Sequence, residues 1–320
     1  MKKEEVKILE IGLINACPLK CPMCTRQDEE VSQLSKDILP LDKIKEVIEY
    51  FPNLVTIDLV GTISEPTLYP DFLELVSYIK SRNIKIFISS NANSRNKIFW
   101  TELGLLLDKD DVIKFAVDGS TQEIYEKYRV DGNLQKVLNN HTYFKNNNNL
   151  SILQFILFEH NKDDIENIKE LFIKNNFDLL EILPCGEPAD HLTFIRPIKE
   201  MDKQYSLKNK VNKSIKNHKI DCIAEEDFSL YLGCFGVLSA CCDQDEETFF
   251  DKEIPNVFED SIDEMMEHVN CSLDDKYETR CCIENCSKLS HTVYDKFPVS
   301  QYNRDLKQTF LTNFREVIRD

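Results

Sequence analysis

Three cysteines share one short segment, Cys17-Pro-Leu-Lys-Cys21-Pro-Met-Cys24, and the next cysteine along the chain is Cys185. Three thiolates at C-x3-C-x2-C spacing can hold a [4Fe-4S] cluster while leaving one iron without a protein ligand. An open iron can bind and reduce a small molecule, so the segment points to redox chemistry. A structural zinc site competes with this reading, but it needs four nearby ligands, and the nearest downstream histidine is His141. A plain helix face competes too, since positions i, i+4 and i+7 align on a helix. Pro22 argues against the helix, because proline removes an N–H and clashes one turn back. The segment reads as a loop, where reactive groups are commonly presented.

The other thiols fall late in the chain. Cys185 stands in Leu183-Pro-Cys-Gly186, and Cys222, Cys234, Cys241, Cys242, Cys271, Cys281, Cys282 and Cys286 follow. Four of these, taken as two pairs, would suit zinc as well as an iron–sulfur cluster.

The elements that must position these groups read as alternating strands and helices. Apolar, β-branched-rich runs at Leu54–Val60, Ile84–Ile88, Val112–Val117, Ile152–Phe158 and Leu179–Leu183 follow a first strand that ends near Asn15. Helical spacing lies between them, as in Ile44, Val47, Ile48, in Phe72, Leu75, Val76, Ile79 and in Ile165, Ile168, Phe172. Six strands with intervening helices imply βα units and a parallel sheet. A doubly wound sheet and a partial barrel fit the pattern equally, and in both the loops at the carboxyl ends of strands build the site. The three cysteines directly follow the first strand.

At 320 residues with a formal charge of −17, the chain has material for two domains and disfavours nucleic acid as a partner. The charged N-terminus carries no apolar signal region, and no run of apolar residues is long enough to span a bilayer. Twelve cysteines in a chain of this size do not resemble a secreted disulfide scaffold. The expectation is a protein of a reducing compartment, the cytoplasm. Lys199–Lys219 is lysine-rich and poor in large apolar residues, which suits a connector. Phe310, Leu311, Phe314, Val317 and Ile318 have the spacing of a docking helix.

Taken together, these residues resemble the radical S-adenosylmethionine (SAM) superfamily, whose signature is C-x3-C-x2-C after the first strand of a partial (β/α)6 barrel. Gly61-Thr-Ile-Ser-Glu65-Pro66 is similar to the family's Gly-Gly-Glu-Pro turn, and Tyr69-Pro-Asp-Phe72 follows it. Ser89-Ser-Asn91, Phe115-Ala-Val-Asp118-Gly-Ser120, Tyr125–Arg129 and Gln154 with Asn161 continue the likeness to about residue 190. The resemblance implies that Cys17, Cys21 and Cys24 ligate a [4Fe-4S] cluster whose open iron chelates SAM. Reductive cleavage would then yield a 5′-deoxyadenosyl radical that abstracts hydrogen from an unactivated C–H bond. Glu65 is expected to accept the SAM ammonium and Arg129 to pair its carboxylate. Asn91, Asp118 and Gln154 are expected at the ribose or methionine. Met23 stands where the family usually has an aromatic residue near adenine, and Ala116 where many relatives carry serine; both departures weaken a contact.

Beyond residue 200, Cys222, Gly236-x4-Cys241 and Cys282-x3-Cys286 resemble the twitch/SPASM extension. This implies one auxiliary [4Fe-4S] cluster on Cys222, Cys241, Cys282 and Cys286. Cys242 and Cys281 compete with their neighbours as ligands, and Cys234 with Cys271 would suit a second cluster. The expected organisation is a partial barrel (1–198), a connector (199–220), an auxiliary-cluster domain (221–290) and a docking helix (291–320). The expected function is oxidation of a small polar metabolite or a peptide, with the auxiliary cluster taking an electron and flavodoxin or ferredoxin supplying the first one. Peptide epimerisation, with Cys185 as hydrogen donor, or cross-linking is the alternative. A non-catalytic electron carrier or scaffold is a further alternative.

Overall fold

The computed structural model describes residues 1–27, 38–61, 63–146, 148–184, 228–240 and 254–274. In chain order the elements are β1 (Ile8–Gly12), α1 (Leu41–Tyr50), β2 (Thr56–Val60), α2 (Phe72–Ser81), β3 (Lys85–Ser90), α3 (Lys97–Leu106) and β4 (Val112–Ala116). There follow α4 (Gln122–Glu126), α5 (Leu134–Phe144), β5 (Leu150–Leu157), α6 (Ile165–Lys174), β6 (Leu179–Pro184), β7 (Ser229–Leu232), β8 (Leu238–Ser239) and α7 (Ile262–Asp274).

The eight strands form one sheet in the order β6-β5-β4-β3-β2-β1-β7-β8. Strands β1 to β6 are parallel and lie side by side in sequence order. A doubly wound sheet reverses strand order at a switch point, whereas a barrel winds without reversal. The partial (β/α)6 barrel is therefore the architecture. β7 lies parallel to β1 and β8 turns back antiparallel to it, so β1 is an inner strand. Residues 229–239, within the segment expected as an auxiliary domain, thus extend the barrel sheet.

The helices pack on one face of the sheet. Ile57, Leu59, Ile86, Ile88, Ile113, Phe115, Leu153 and Phe155 alternate along the strands and are all buried. They form one core with Ile44, Val47 and Ile48 of α1, Phe72, Leu75, Val76 and Ile79 of α2, and Trp100 and Leu103 of α3. Each such aliphatic side chain contributes about 1.5–3 kcal/mol of burial energy. Several helices begin where a short polar side chain takes over an orphan N–H. Asn96 accepts from Phe99, Thr121 from Ile124 and Asn133 from Lys136. On α6 only Ile168 of the three expected residues is fully buried, while Ile165 and Phe172 pack partly against the core. Met265, Met266, Val269 and Leu273 seat α7 in the same core, and Asp263 and Glu264 give it an acidic first turn.

Candidate active site at the carboxyl ends of the strands

The cysteine loop leaves β1 and folds as a loop, as its prolines require. A single 3-10 turn, Thr25–Gln27, begins after Cys24. Its course is fixed from three sides. Lys20 N–H donates to the Val130 carbonyl at 3.1 Å, and Lys20 pairs with Asp131 at 2.8 Å. Arg26 reaches Asn15 and the Ile63 carbonyl, which ties the loop's far end to the segment after β2. Arg26 has no place in the sequence motif, and its role shows only in three dimensions.

Leu19, Tyr128, Phe158, Ile156 and Met23 form an apolar shell with Cys17, Cys21 and Cys24. Burial pushes the Cys17 thiol up to about 12, with Glu65, Cys21 and Cys24 adding to the rise against one opposing backbone hydrogen bond from Leu19. Burial raises Cys21 as well, against the Arg129 guanidinium beside it. Without a metal these thiols stay protonated, and coordination would deprotonate them. Among the described residues no three His, Cys, Asp or Glu side chains converge closely enough for a single metal ion. Cys21 and Cys24 act electrostatically on Cys17, and three thiolates are the donor set of a [4Fe-4S] cluster with one open iron.

Two polar side chains meet the sulfurs directly. Asn91 Nδ2 lies 3.4 Å from Cys17 Sγ, and Arg129 Nη1 lies 3.7 Å from Cys21 Sγ. Asn91 begins the turn after β3, where Ala92 adopts the left-handed region at φ 52°. Such strain persists where the surroundings over-determine it. Here Asn91 Oδ1 accepts from Asn93 N–H, while Asn93 Nδ2 donates to the Asn91 carbonyl and to Tyr125 Oη.

Arg129 is held by Asp118. Its Nε donates to Asp118 Oδ2 at 2.5 Å, and Ile156 N–H donates to Asp118 Oδ1 at 2.7 Å. Burial opposes the guanidinium charge, but Asp118 and Cys21 overcome it and hold the pKa well above its ordinary value. Gly119 makes the turn feasible, because a Cβ there would sit 2.3 Å from the Tyr125 nitrogen.

Glu65 is buried at 1% exposure. Its Oε1 accepts from Thr67 N–H, Thr67 Oγ1 and Ser90 Oγ, and its Oε2 from Asn91 N–H at 2.7 Å. Burial raises its pKa, and these hydrogen bonds offset part of the rise. Gln154 sits within β5 and donates to Glu181 Oε2 at 2.9 Å. Cys185, Cys222, Cys241, Cys242, Cys281, Cys282 and Cys286 lie outside the described residues, as does the segment 291–320. Cys234 is buried with Ile63 and Phe235, and Cys271 is exposed on α7.

A His–Ser–Asp chain elsewhere looks catalytic but is structural. His141 Nε2 lies 3.0 Å from Ser151 Oγ, which donates to Asp178. Ser151 is the second residue of β5, at the amino end of the barrel, and His141 is buried and stacked on Phe177.

The fold and the loop geometry agree with the comparisons to known proteins. The model of the Radical SAM superfamily matches residues 11–172, half of the chain. The chain belongs to the radical SAM superfamily. This radical SAM chain is 32% identical over 113 residues to the tungsten-containing aldehyde ferredoxin oxidoreductase cofactor-modifying protein of Pyrococcus furiosus, covering 35% of the chain and 31% of that protein. It is 31% identical over 137 residues to a cysteine-type anaerobic sulfatase-maturating enzyme of Clostridium novyi, covering 39% and 36%. The chain thus spans about a third of the length of these curated relatives. Its fold matches the solved structure of anSMEcpe with bound AdoMet and Cp18Cys peptide, with a TM-score of 0.55, 15% identity and 98% of each chain covered. As a family member it uses a [4Fe-4S] cluster and SAM. Among the described residues no helix is long and apolar enough to cross a membrane.

Proposed function

We propose that this radical SAM enzyme abstracts hydrogen from a small polar metabolite or a peptide and then oxidises the resulting carbon radical. Cys17, Cys21 and Cys24 would hold the cluster. When bound, the cluster and SAM supply an electron and a hydrogen-abstracting radical. The chain's residues orient and exclude. Asn91 and Arg129 contact the ligand sulfurs, while Leu19, Tyr128, Phe158 and Ile156 keep water from them. A carboxylate offers about four acceptor positions. Three donors crowd Glu65 Oε1 and one reaches Oε2, so Oε2 can still accept from the SAM ammonium. Arg129 engages two of its N–H groups with Asp118 and Cys21, leaving others for the SAM carboxylate. Met23 lies in the apolar shell where adenine would pack. Asp118 acts through Arg129, and Gln154 would contribute from the sheet face.

The observation that carries the proposal is the contact of Asn91 and Arg129 with the sulfurs of the post-β1 loop. In the oxidative step the auxiliary cluster would be held by Cys222, Cys241, Cys282 and Cys286 in the proposed 221–290 domain, and flavodoxin or ferredoxin would deliver the starting electron. The peptide reading is supported by anSMEcpe, solved with a bound peptide. Epimerisation or cross-linking is the second form of that reading, with Cys185 as hydrogen donor in the epimerisation. The test is the iron and sulfide content of anaerobically reconstituted protein. About eight irons per chain supports the arrangement, and about four with bound zinc contradicts the auxiliary cluster.

A further inference from the structure

The loop after β3 carries an arginine that the sequence motif does not explain. Within residues 91–95, Ala92 and Arg95 both take the left-handed region, at φ 52° and 60°. Such strain persists where the surroundings over-determine it, and here two helices do so. Asn140 of α5 donates to the Ala92 and Ser94 carbonyls at 2.9 and 3.2 Å, and Lys136 Nζ donates to the Asn93 carbonyl at 2.7 Å. Trp100 Nε1 of α3 also reaches the Ser94 carbonyl, at 3.2 Å. With its backbone tied to α3 and α5, the loop turns the Ser94 and Arg95 side chains to the segment after β2.

That segment holds the 3-10 turn Pro66–Leu68, whose N-cap is Glu65. Arg95 Nε donates to the Thr67 carbonyl, and its Nη2 donates to the Leu68 and Tyr69 carbonyls at 3.0 and 2.6 Å. One guanidinium fork thus satisfies three successive carbonyls at the end of the turn, where backbone acceptors are otherwise orphaned. Ser94 Oγ and Thr67 Oγ1 lie 2.5 Å apart. Thr67 commits its single proton to Glu65 Oε1, so Ser94 is the donor to Thr67. Arg95 is half-buried, and burial lowers its pKa with no carboxylate of the described residues opposing the fall. A cation drawn out of water toward carbonyls and the Phe99 ring, 5.2 Å away, is costly to the fold. Its return is the fixed geometry of the turn.

We propose that Arg95 is a positioning residue for SAM, clamping the Thr67–Tyr69 carbonyls so that Glu65 keeps Oε2 turned to the SAM ammonium. This rests on the radical SAM reading and its assignment of Glu65, and it deepens that site. The linkage is short. Thr67 N–H and Oγ1 both donate to Glu65 Oε1, so the turn that Arg95 holds also sets the rotation of the carboxylate. Asn91 N–H, at the start of the same loop, meets Oε2 at 2.7 Å. Loop 91–95 therefore governs both oxygens, directly at Oε2 and through Thr67 at Oε1.

The test is the Kd of SAM on anaerobically reconstituted, unreduced protein, read by equilibrium dialysis with radiolabelled SAM beside iron content and denaturant melts. Arg95→Met keeps an apolar stem over Phe99 and removes the donors. It should weaken SAM binding about tenfold, the weight of one hydrogen bond to a charged group, with iron per chain unchanged. Under reductant the KM for SAM should rise in step while kcat holds. Arg95→Lys, which offers a point charge in place of the fork, should recover part of the affinity. Added to Glu65→Gln, Arg95→Met should weaken binding no further, because both act through one carboxylate. Wild-type affinity in Arg95→Met, or losses that add in the double variant, would overturn the proposal whatever the melts show. Where Arg95→Met fails to fold by circular dichroism, Arg95→Lys decides: it should bind SAM about threefold more weakly than wild type, and equal affinity overturns the proposal. Wild type that takes up iron but binds no SAM sinks the functional reading. Wild-type affinity in Glu65→Gln sinks the assignment of Glu65 and this inference with it, whereas a loss there with Arg95→Met unaffected sinks this inference alone.

Discussion

Two carboxyl groups seven residues apart, one buried and one half-buried, show how differently one fold treats the same chemistry. Glu65, in the loop after β2, receives four donors from its own chain. Asp58, within β2, keeps an oxygen with no partner among the described residues. Burial raises both groups, but hydrogen bonds counter the rise only at Glu65. A satisfied buried carboxylate holds the loops of β1, β2 and β3 in one geometry. An unsatisfied one stabilises nothing by itself.

The largest expected effect lies at the rim. Cys17→Ala, Cys21→Ala or Cys24→Ala should each abolish SAM cleavage and remove about four irons per chain, read by iron assay and by 5′-deoxyadenosine formation. Retained iron and retained cleavage would remove that thiol from the cluster.

Glu65→Gln comes next. It turns an acceptor oxygen into a donor amid four donors, and it should lower stability by about 2–3 kcal/mol in denaturant melts. Asp58→Asn should do the reverse, leaving stability unchanged or raising it by up to about 1 kcal/mol. Equal losses in the two variants would erase the contrast drawn here.

The pH dependence sharpens the same contrast. The folded Asp58 pKa is raised above its ordinary value of 3.8, so the folded state holds a proton that the unfolded chain releases. That contribution is complete below the unfolded value and is lost as pH rises through the raised one. Asp58→Asn should therefore remove a loss of stability on the alkaline side of about pH 4. Parallel stability curves for wild type and variant would show that Asp58 does not titrate as described. The smallest effect is expected at Lys20→Ala. Its pair with Asp131 is exposed on both sides, at 70% and 51%, so its loss should leave the denaturant midpoint unchanged within error.

Much of the fold is legible in the sequence because β-branched runs and helical spacing repeat with little interruption. The runs at Leu54–Val60, Ile84–Ile88 and Val112–Val117 lie within one or two residues of β2, β3 and β4. Barrel and doubly wound sheet could not be told apart from periodicity, since strand order is set by how helices cross the sheet. β7 escapes notice because four residues, Ser229–Leu232, are too few to show a period. The loop character of Cys17–Cys24 follows from its prolines. The contacts of Asn91 and Arg129 with sulfur depend on turns that bring separate strand ends together. The helix-free face of the sheet had a signal that went unread: Glu10 between Leu9 and Ile11, and Asp58 between Ile57 and Leu59, are charges in the middle of apolar strands. In a parallel sheet such charges mark a face that no helix covers.

The account stands most directly on whether the chain splits SAM. Anaerobically reconstituted protein, given SAM and a strong reductant, should form 5′-deoxyadenosine, and the Cys21→Ala variant should form none. A wild-type protein carrying its full complement of iron and sulfide that yields no 5′-deoxyadenosine would contradict it.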